Sequence, residues 1–288
     1  MIQLMKYKGQ VMGKSTTYDK TCPVCGGSGY ELKLVVNDET RRVYGETPME
    51  VAAPCSRCNG GYAERVREIR KYSNIPMSFY DSDLSKFKWD IYKDETGKPI
   101  ESFKVKDSGN NLKVIQVSKL KKVIETFIDK FDIWEKRGVG LYIYSKMKGS
   151  GKTFLASCIC NSLNAKYRII TKFVSVSALI DLSKRSENGR DIIETLCNTR
   201  LLCLDDLGQK QSGNEWLNDI LFRLTDARMQ KGLLTIITSN VRMQDLKMDD
   251  RIVDRINKIT TPIPLPDYCI RSEESKKVQK ELFRELGI

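Results

Sequence analysis

The chain has no histidine. Imidazole is therefore unavailable as a general base, a proton shuttle or a metal ligand, and such roles fall to carboxylates, amines, hydroxyls and thiols. Also missing is any run of the ~18 apolar residues that a membrane-crossing helix needs. The opening residues Met1-Ile2-Gln3-Leu4-Met5-Lys6-Tyr7-Lys8 lack the apolar stretch of a secretory signal. Internal repeats and low-complexity tracts are absent. With 288 residues, 40% hydrophobic and 30% charged, a cytoplasmic protein without a membrane partner is expected, long enough for one large domain and a small one.

Positive charge, by contrast, is in excess. Lys+Arg number 49 against Asp+Glu 37, a net charge of +12. This favours anionic partners such as nucleic acid, but the excess is spread along the chain and marks no single stripe.

Nine cysteines in a cytoplasmic chain argue against a disulfide framework. Cys158, Cys160, Cys197, Cys203 and Cys269 stand in apolar surroundings and read as small core residues. The other four form two Cys-x-x-Cys knuckles, Cys22-Pro23-Val24-Cys25 and Cys55-Ser56-Arg57-Cys58, each followed by glycines. Four thiolates on two tight turns make a closed tetrahedral Zn²⁺ shell at about 2.3 Å per bond, with no position for water, hence a structural site. A redox Cys-x-x-Cys is the competing reading. Between the knuckles Glu31–Val36 alternates like a strand, and Arg42–Tyr44 is a candidate partner strand. A unit this small would draw most of its folding energy from the metal.

The stretch Lys146-Met147-Lys148-Gly149-Ser150-Gly151-Lys152-Thr153 reads as a phosphate-binding loop. An apolar run precedes it (Val139–Tyr144) and an apolar helix opening at Phe154 follows, the strand–turn–helix context such a loop requires. Glycines let backbone N–H groups approach phosphate oxygens, and the helix N-terminus adds partial positive charge. In the usual pattern position 146 is glycine. Lysine there leaves the inner Gly-x-Gly-Lys-Thr cradle intact and is expected to constrain the turn into it. The predicted nucleotide-binding set is Lys148, Gly149, Ser150, Gly151, Lys152, Thr153 and Phe154, with Thr153 on Mg²⁺.

A second motif, Leu201-Leu202-Cys203-Leu204-Asp205-Asp206-Leu207-Gly208, is an apolar strand ending in paired acids. Asp205 is expected to hold Mg²⁺ and Asp206 to orient or deprotonate water attacking the γ-phosphate of ATP. Aspartate is one methylene shorter than the glutamate common there, which predicts slow turnover. A third run, Leu233–Asn240, brings Asn240 to a strand end, where open parallel sheets gather their ligand chemistry.

The predicted organisation is a mobile N-terminus over 1–20, a zinc module over 21–72, a linker over 73–118 and an ATPase domain over 119–288. The zinc module includes the basic helix Ala63–Lys71, read either as a solvated linker helix or as a nucleic-acid contact. Within the large domain a helix capped by Ser118 and ended by Gly138 shows one apolar face. A strand is expected over Tyr167–Val174, helices over 177–185 and 190–198, and a long helix through Trp216 and Leu224. A last short strand follows at Ile263–Leu265. Strands alternating with helices predict an α/β fold, a parallel five-stranded sheet with helices on both faces.

The motifs together resemble an AAA+ ATPase of the bacterial replicative-helicase-loader group (DnaC/DnaI-type), over about residues 73–271. The segment Ser73–Phe79 is similar to the group's linker, Lys148–Thr153 to Walker A, Leu201–Gly208 to Walker B and Thr238-Ser239-Asn240 to sensor 1. The resemblance implies that Arg255, in Asp250-Arg251-Ile252-Val253-Asp254-Arg255, is an arginine finger reaching a neighbouring subunit's nucleotide, with Arg251 its companion. It implies a sensor-2-like role for Arg271, and Glu273–Leu286 as a single helix in place of a full C-terminal lid. The cysteine knuckle is also similar to half of the J-type chaperone zinc centre. The implied function is an ATP-dependent loader of a hexameric replicative helicase onto single-stranded DNA, self-associating through nucleotide. A transposition helper ATPase (IstB-like), with a transposase as partner, shares these motifs. A zinc-dependent nucleic-acid-binding protein with a weak nucleotide switch is the reading from another class.

Overall fold

The computed structural model describes residues 23–25, 30–35, 48–57, 69–107, 109–183, 189–208 and 215–285. It divides into two compact units, Met1–Glu68 and Ile69–Ile288.

The first unit contains an antiparallel hairpin of β1 (Tyr30–Val35) and β2 (Met49–Pro54). β1 falls where alternation predicts it. Its partner is the Val51-Ala52-Ala53 run, which carries no alternation; the candidate strand at 42–44, the N-terminal 1–20 and residues 63–68 of the basic helix lie outside the described residues. Leu32 and Leu34, on one face of β1, are 67% and 70% exposed, so among the described residues no core covers this face of the hairpin.

The second unit is built on five parallel strands: β5 (Gly140–Tyr144), β6 (Thr171–Ser175), β7 (Leu201–Leu207), β8 (Leu234–Ser239) and β9 (Thr260–Pro264). Their spatial order is β6-β7-β8-β5-β9. The central strands are continuous apolar runs because both faces of the sheet are covered. Leu141, Ile143, Leu201, Cys203 and Ile236 point into one buried cluster. Tyr142, Leu202, Leu204 and Ile237 point into the other. The first is covered by α1 (Val117–Asp129), α2 (Phe131–Arg137) and α3 (Lys152–Tyr167). The second is covered by α4 (Val176–Ser183), α5 (Gly189–Asn198), α6 (Glu215–Gln230) and α7 (Asp250–Ile259). A last helix, α8, runs Ile270–Glu285. Ahead of α1 stands a hairpin, β3 (Ser102–Lys106) and β4 (Leu112–Gln116), closed by the turn at Asp107.

Three elements differ from expectation. The helix expected to be capped by Ser118 and ended by Gly138 is capped two residues earlier, at Gln116 and without a side-chain hydrogen bond, and breaks at Lys130. The Tyr167 hydroxyl lies 2.9 Å from both the Ile128 and Asp129 carbonyl oxygens, so its single proton serves one of them or is shared between the two, at the point where the helix breaks. Gly138, at φ 64°, does end α2. The strand expected from Tyr167 begins only at Thr171, because α3 runs through Tyr167 and Arg168 turns left-handed at φ 53°. The last strand begins at Thr260. Its Pro262 and Pro264 are accommodated because β9 is an edge strand.

Candidate nucleotide-binding site

The loop joining β5 to α3 lies at the carboxyl end of the sheet. Gly149 and Gly151 have φ of 74° and 90°, a region that L side chains rarely adopt. A Cβ on Gly149 would also stand 3.1 Å from the Arg271 Cβ and 3.2 Å from the Cys269 sulfur. Lys146 keeps a negative φ, so the turn into the loop does not require glycine there. The constraint expected at this position comes instead from Asp267, whose Oδ1 accepts from the Lys146 N–H at 2.8 Å and from the Ser145 hydroxyl at 2.9 Å. The Ile270 N–H donates to the Gly149 carbonyl at 2.9 Å, bringing the start of α8 and Arg271 against the loop. Tyr92, fully buried, donates its hydroxyl to the Ser150 carbonyl at 2.9 Å.

Lys152 folds back over this loop. Its Nζ reaches the Met147 carbonyl at 2.9 Å, the Ser150 hydroxyl at 3.2 Å and the Ser145 carbonyl at 3.3 Å. Burial lowers its pKa to about 8, with Asp206, Asp267 and Asp205 opposing. The neighbouring Thr153 hydroxyl, in the first turn of α3, lies 3.0 Å from Asp205 Oδ1 on β7. Thr238, on β8, donates to the same oxygen at 2.6 Å. Desolvation raises the Asp205 pKa, and the hydrogen bonds from Thr238 and Thr153 pull it back. Lys148 is exposed, and Phe154 turns its ring toward Phe79 and Phe87, with centroids 5.2 and 5.9 Å away.

The paired acids point in different directions. The pairing of β7 with β8 slips after Leu204, Asp206 takes φ 60°, and its N–H donates to the Thr238 hydroxyl at 2.9 Å. That bulge buries Asp205 and exposes Asp206. Asn240 then donates from Nδ2 to Asp206 Oδ1 at 2.8 Å. Lysine, hydroxyl, buried carboxylate, exposed carboxylate and amide thus gather at the ends of β5, β7 and β8.

Arg251 and Arg255 are bonded elsewhere. Arg251, its side chain 70% exposed, pairs with Asp249 at 2.7 Å, which holds the Asp249 carboxyl down at about 2. Arg255 pairs with Asp226 at 2.7 Å. Neither Asp226, Asp267 nor Tyr92 carries a local motif, and sequence reasoning missed all three. In the first unit Cys25 and Cys55 are described, whereas Cys22 and Cys58 lie outside the described residues. No group of three or more metal-binding side chains forms among the described residues. No described helix is long and apolar enough to cross a membrane.

A left-handed glycine loop between a central parallel strand and a buried helix, with lysine and threonine at the helix start and an acid across the sheet, defines a P-loop nucleotide-binding α/β protein. No family model matches the chain. It is similar to the replicative helicase loader DnaC of Escherichia coli (strain K12), 29% identical over 137 residues, 45% of this chain and 54% of that protein. It is also similar to the replicative helicase loader DnaI of Bacillus subtilis (strain 168), 27% identical over 224 residues, 76% of this chain and 61% of that protein. The chain thus spans between half and two thirds of these relatives' lengths. Among solved structures, the DnaC helicase loader is similar at TM-score 0.51 and 18% identity, covering 66% of this chain and 100% of that one. A putative primosome component from Streptococcus pyogenes serotype M3 is similar at TM-score 0.51 and 20% identity, covering 69% and 94%. These structural likenesses establish the fold.

Proposed function

We propose that the protein is an ATP-dependent loader that delivers a replicative DNA helicase onto single-stranded DNA. The nucleotide half of this reading rests on the 3.0 Å contact between the Thr153 hydroxyl and Asp205, which brings the phosphate loop and the acidic strand end to one point. The loader half rests on similarity to DnaC and DnaI, both named replicative helicase loaders.

Lys152 leaves its loop carbonyls for the β- and γ-phosphates, and the loop N–H groups cradle them. Thr153 and Asp205 would hold magnesium, whose charge offsets that of the phosphate oxygens. Asp206, exposed and oriented by Asn240, takes the proton of the attacking water. Arg255, assisted by Arg251, completes the site of an adjoining subunit, so ATP drives self-association. Arg271 lies against the loop as a further phosphate contact. The ATPase portion is residues 119–288, reached through the linker 73–118.

Cys22, Cys25, Cys55 and Cys58 form a structural zinc module within 21–72 that docks on the helicase. The hairpin register supports this: Tyr30 pairs with Pro54, so the strand end that follows Cys25 in the chain and the strand end that precedes Cys55 are neighbours. All-thiolate chemistry without histidine suits a closed zinc shell.

Affinity capture against a hexameric helicase and a transposase, with and without ATP, tests the function. Nucleotide-dependent capture of the helicase is expected; capture of the transposase alone would transfer the chain to the transposition helpers. Lys152→Ala should abolish ATP binding, whereas Arg255→Ala should keep binding and lose hydrolysis.

A further inference from the structure

Arg255 sits in a built cradle. Its Nε donates to Asp226 Oδ1 at 2.7 Å, and its Nη1 donates to the Arg251 carbonyl at 3.0 Å. The guanidinium carbon stands 4.1 Å from the centroid of the Phe222 ring. Asp226 is itself held, its Oδ2 accepting from Gln230 Nε2 at 2.7 Å. Phe222, Asp226 and Gln230 recur every four residues on α6 and therefore form one stripe. Beneath them Leu217, Leu221 and Leu224 of α6 share a buried cluster with Ile252 and Ile256 of α7, so the cradle stands on two packed helices. Arg255 is left 19% exposed, against 70% for Arg251, whose guanidinium pairs with Asp249, the cap of its own helix, and stands farther from the same ring, 5.0 Å from the Phe222 centroid.

A guanidinium carries five N–H donors in a fixed plane. Asp226 and the Arg251 carbonyl take two, and Phe222 takes a face. The donors that remain are on the two Nη atoms, and among the described residues no acceptor bonds them. One edge of the fork is thus fixed by the protein, and the other suits a planar or tetrahedral anion supplied by another molecule.

We propose that Asp226 is a positioning residue. With Phe222 it holds the Arg255 guanidinium in the orientation that meets the γ-phosphate bound at the Lys152 loop of a second copy of this chain. The inference rests on the reading of Arg255 as the intersubunit arginine. Asp226 adds no positive charge to the site and partly offsets that of Arg255. Its contribution is orientation: an arginine ordered during folding loses no further rotamer freedom when subunits meet.

Steady-state ATP hydrolysis by the full chain, with magnesium and single-stranded DNA, tests this. Asp226→Ala should lower kcat by about ten- to a hundredfold, the effect of small misplacements in reacting geometry. KM and binding of a non-hydrolysable ATP analogue should stay unchanged, since the subunit's own loop is untouched. Asp226→Asn keeps an oxygen acceptor for Nε and should restore most of the rate. Mixing Asp226→Ala with Lys152→Ala chains should regain hydrolysis, because the second chain supplies an intact Arg255 to the first chain's nucleotide. A mixture that stays inactive would place the defect within the altered subunit and overturn the proposal. Wild-type kcat in Asp226→Ala, alongside lost turnover in Arg255→Ala, would also overturn it while leaving the loader reading intact. Wild-type turnover in Arg255→Ala removes the reading itself. Should Asp226→Ala fail to fold, Phe222→Leu removes the stacking face and should lower kcat in the same way; unchanged kcat there counts against the cradle.

Discussion

At the residue scale the phosphate loop is held closed by its own lysine. Three oxygen acceptors satisfy Lys152, yet burial lowers its pKa to about 8. A triphosphate arriving at the loop supplies the missing negative charge and restores the ammonium. Nucleotide binding should therefore take up protons near pH 8, and the uptake should fade below pH 7, where the amine is already charged. Calorimetry of analogue binding in buffers of different ionisation enthalpy reads this directly. Binding without proton uptake at pH 8 would refute the assignment of the lowered pKa. The sign for stability follows from the same shift: the folded pKa lies below the unfolded 10.5, so the unfolded chain binds more protons between pH 8 and 10.5 and stability rises across that window. Lys146 gives a second prediction. Its φ is negative, and its link to Asp267 uses the backbone N–H, so Lys146→Gly keeps both. Analogue affinity should change by less than about threefold, glycine adding only its backbone entropy; a large gain would show that lysine does constrain the loop. Contiguous residues made the loop legible in the sequence. The tether from Asp267 was not legible, because it comes from the far end of the chain and has no spacing of its own.

Elements were legible where one face is apolar and obscure where a tertiary contact sets the boundary. The central strands β5, β7 and β8 were found as apolar runs, whereas β6 and β9, which mix threonine, lysine or proline with apolar residues, were found with displaced ends. The break in the long helix was not found, since it depends on the Tyr167 hydroxyl reaching Ile128 and Asp129 from another helix. Arg228 is the intermediate case. It falls on the same α6 face as Leu221, Leu224 and Thr225, so the helical period that identifies the core also places an arginine inside it. Among the described residues no carboxylate pairs with it. It donates instead to the carbonyls of Leu196 and Thr199, at 2.6 and 2.8 Å, to the Thr235 hydroxyl at 2.9 Å and to the Leu234 carbonyl. One side chain thereby closes the end of α5 and joins it to α6 and β8. Arg228→Met keeps the apolar stem but leaves buried carbonyls without donors. Denaturant unfolding of this variant should show a loss of about 2–5 kcal/mol. A loss below ~1 kcal/mol would mean that water reaches these carbonyls and that α5 is not fixed through Arg228.

For the molecule as a whole, its two units should differ in what holds them together. The unit from Ile69 onward surrounds its sheet with two buried clusters. The unit up to Glu68 offers a two-stranded hairpin with exposed Leu32 and Leu34, and such a hairpin is marginal in water by itself. If four thiolates on one zinc ion supply the difference, removing the metal should unfold one unit and spare the other. The purified chain should carry a single zinc. Chelation, or Cys25→Ser combined with Cys58→Ser, should open residues 15–65 to proteolysis while binding of an ATP analogue persists. Helicase capture should disappear with the zinc if that module is the docking element, although the nucleotide site stays filled. Metal analysis that finds no zinc in folded protein would end the zinc assignment. Capture that survives chelation would instead move the helicase contact onto the ATPase unit, where the conformational response to nucleotide would have to drive it without the N-terminal hairpin.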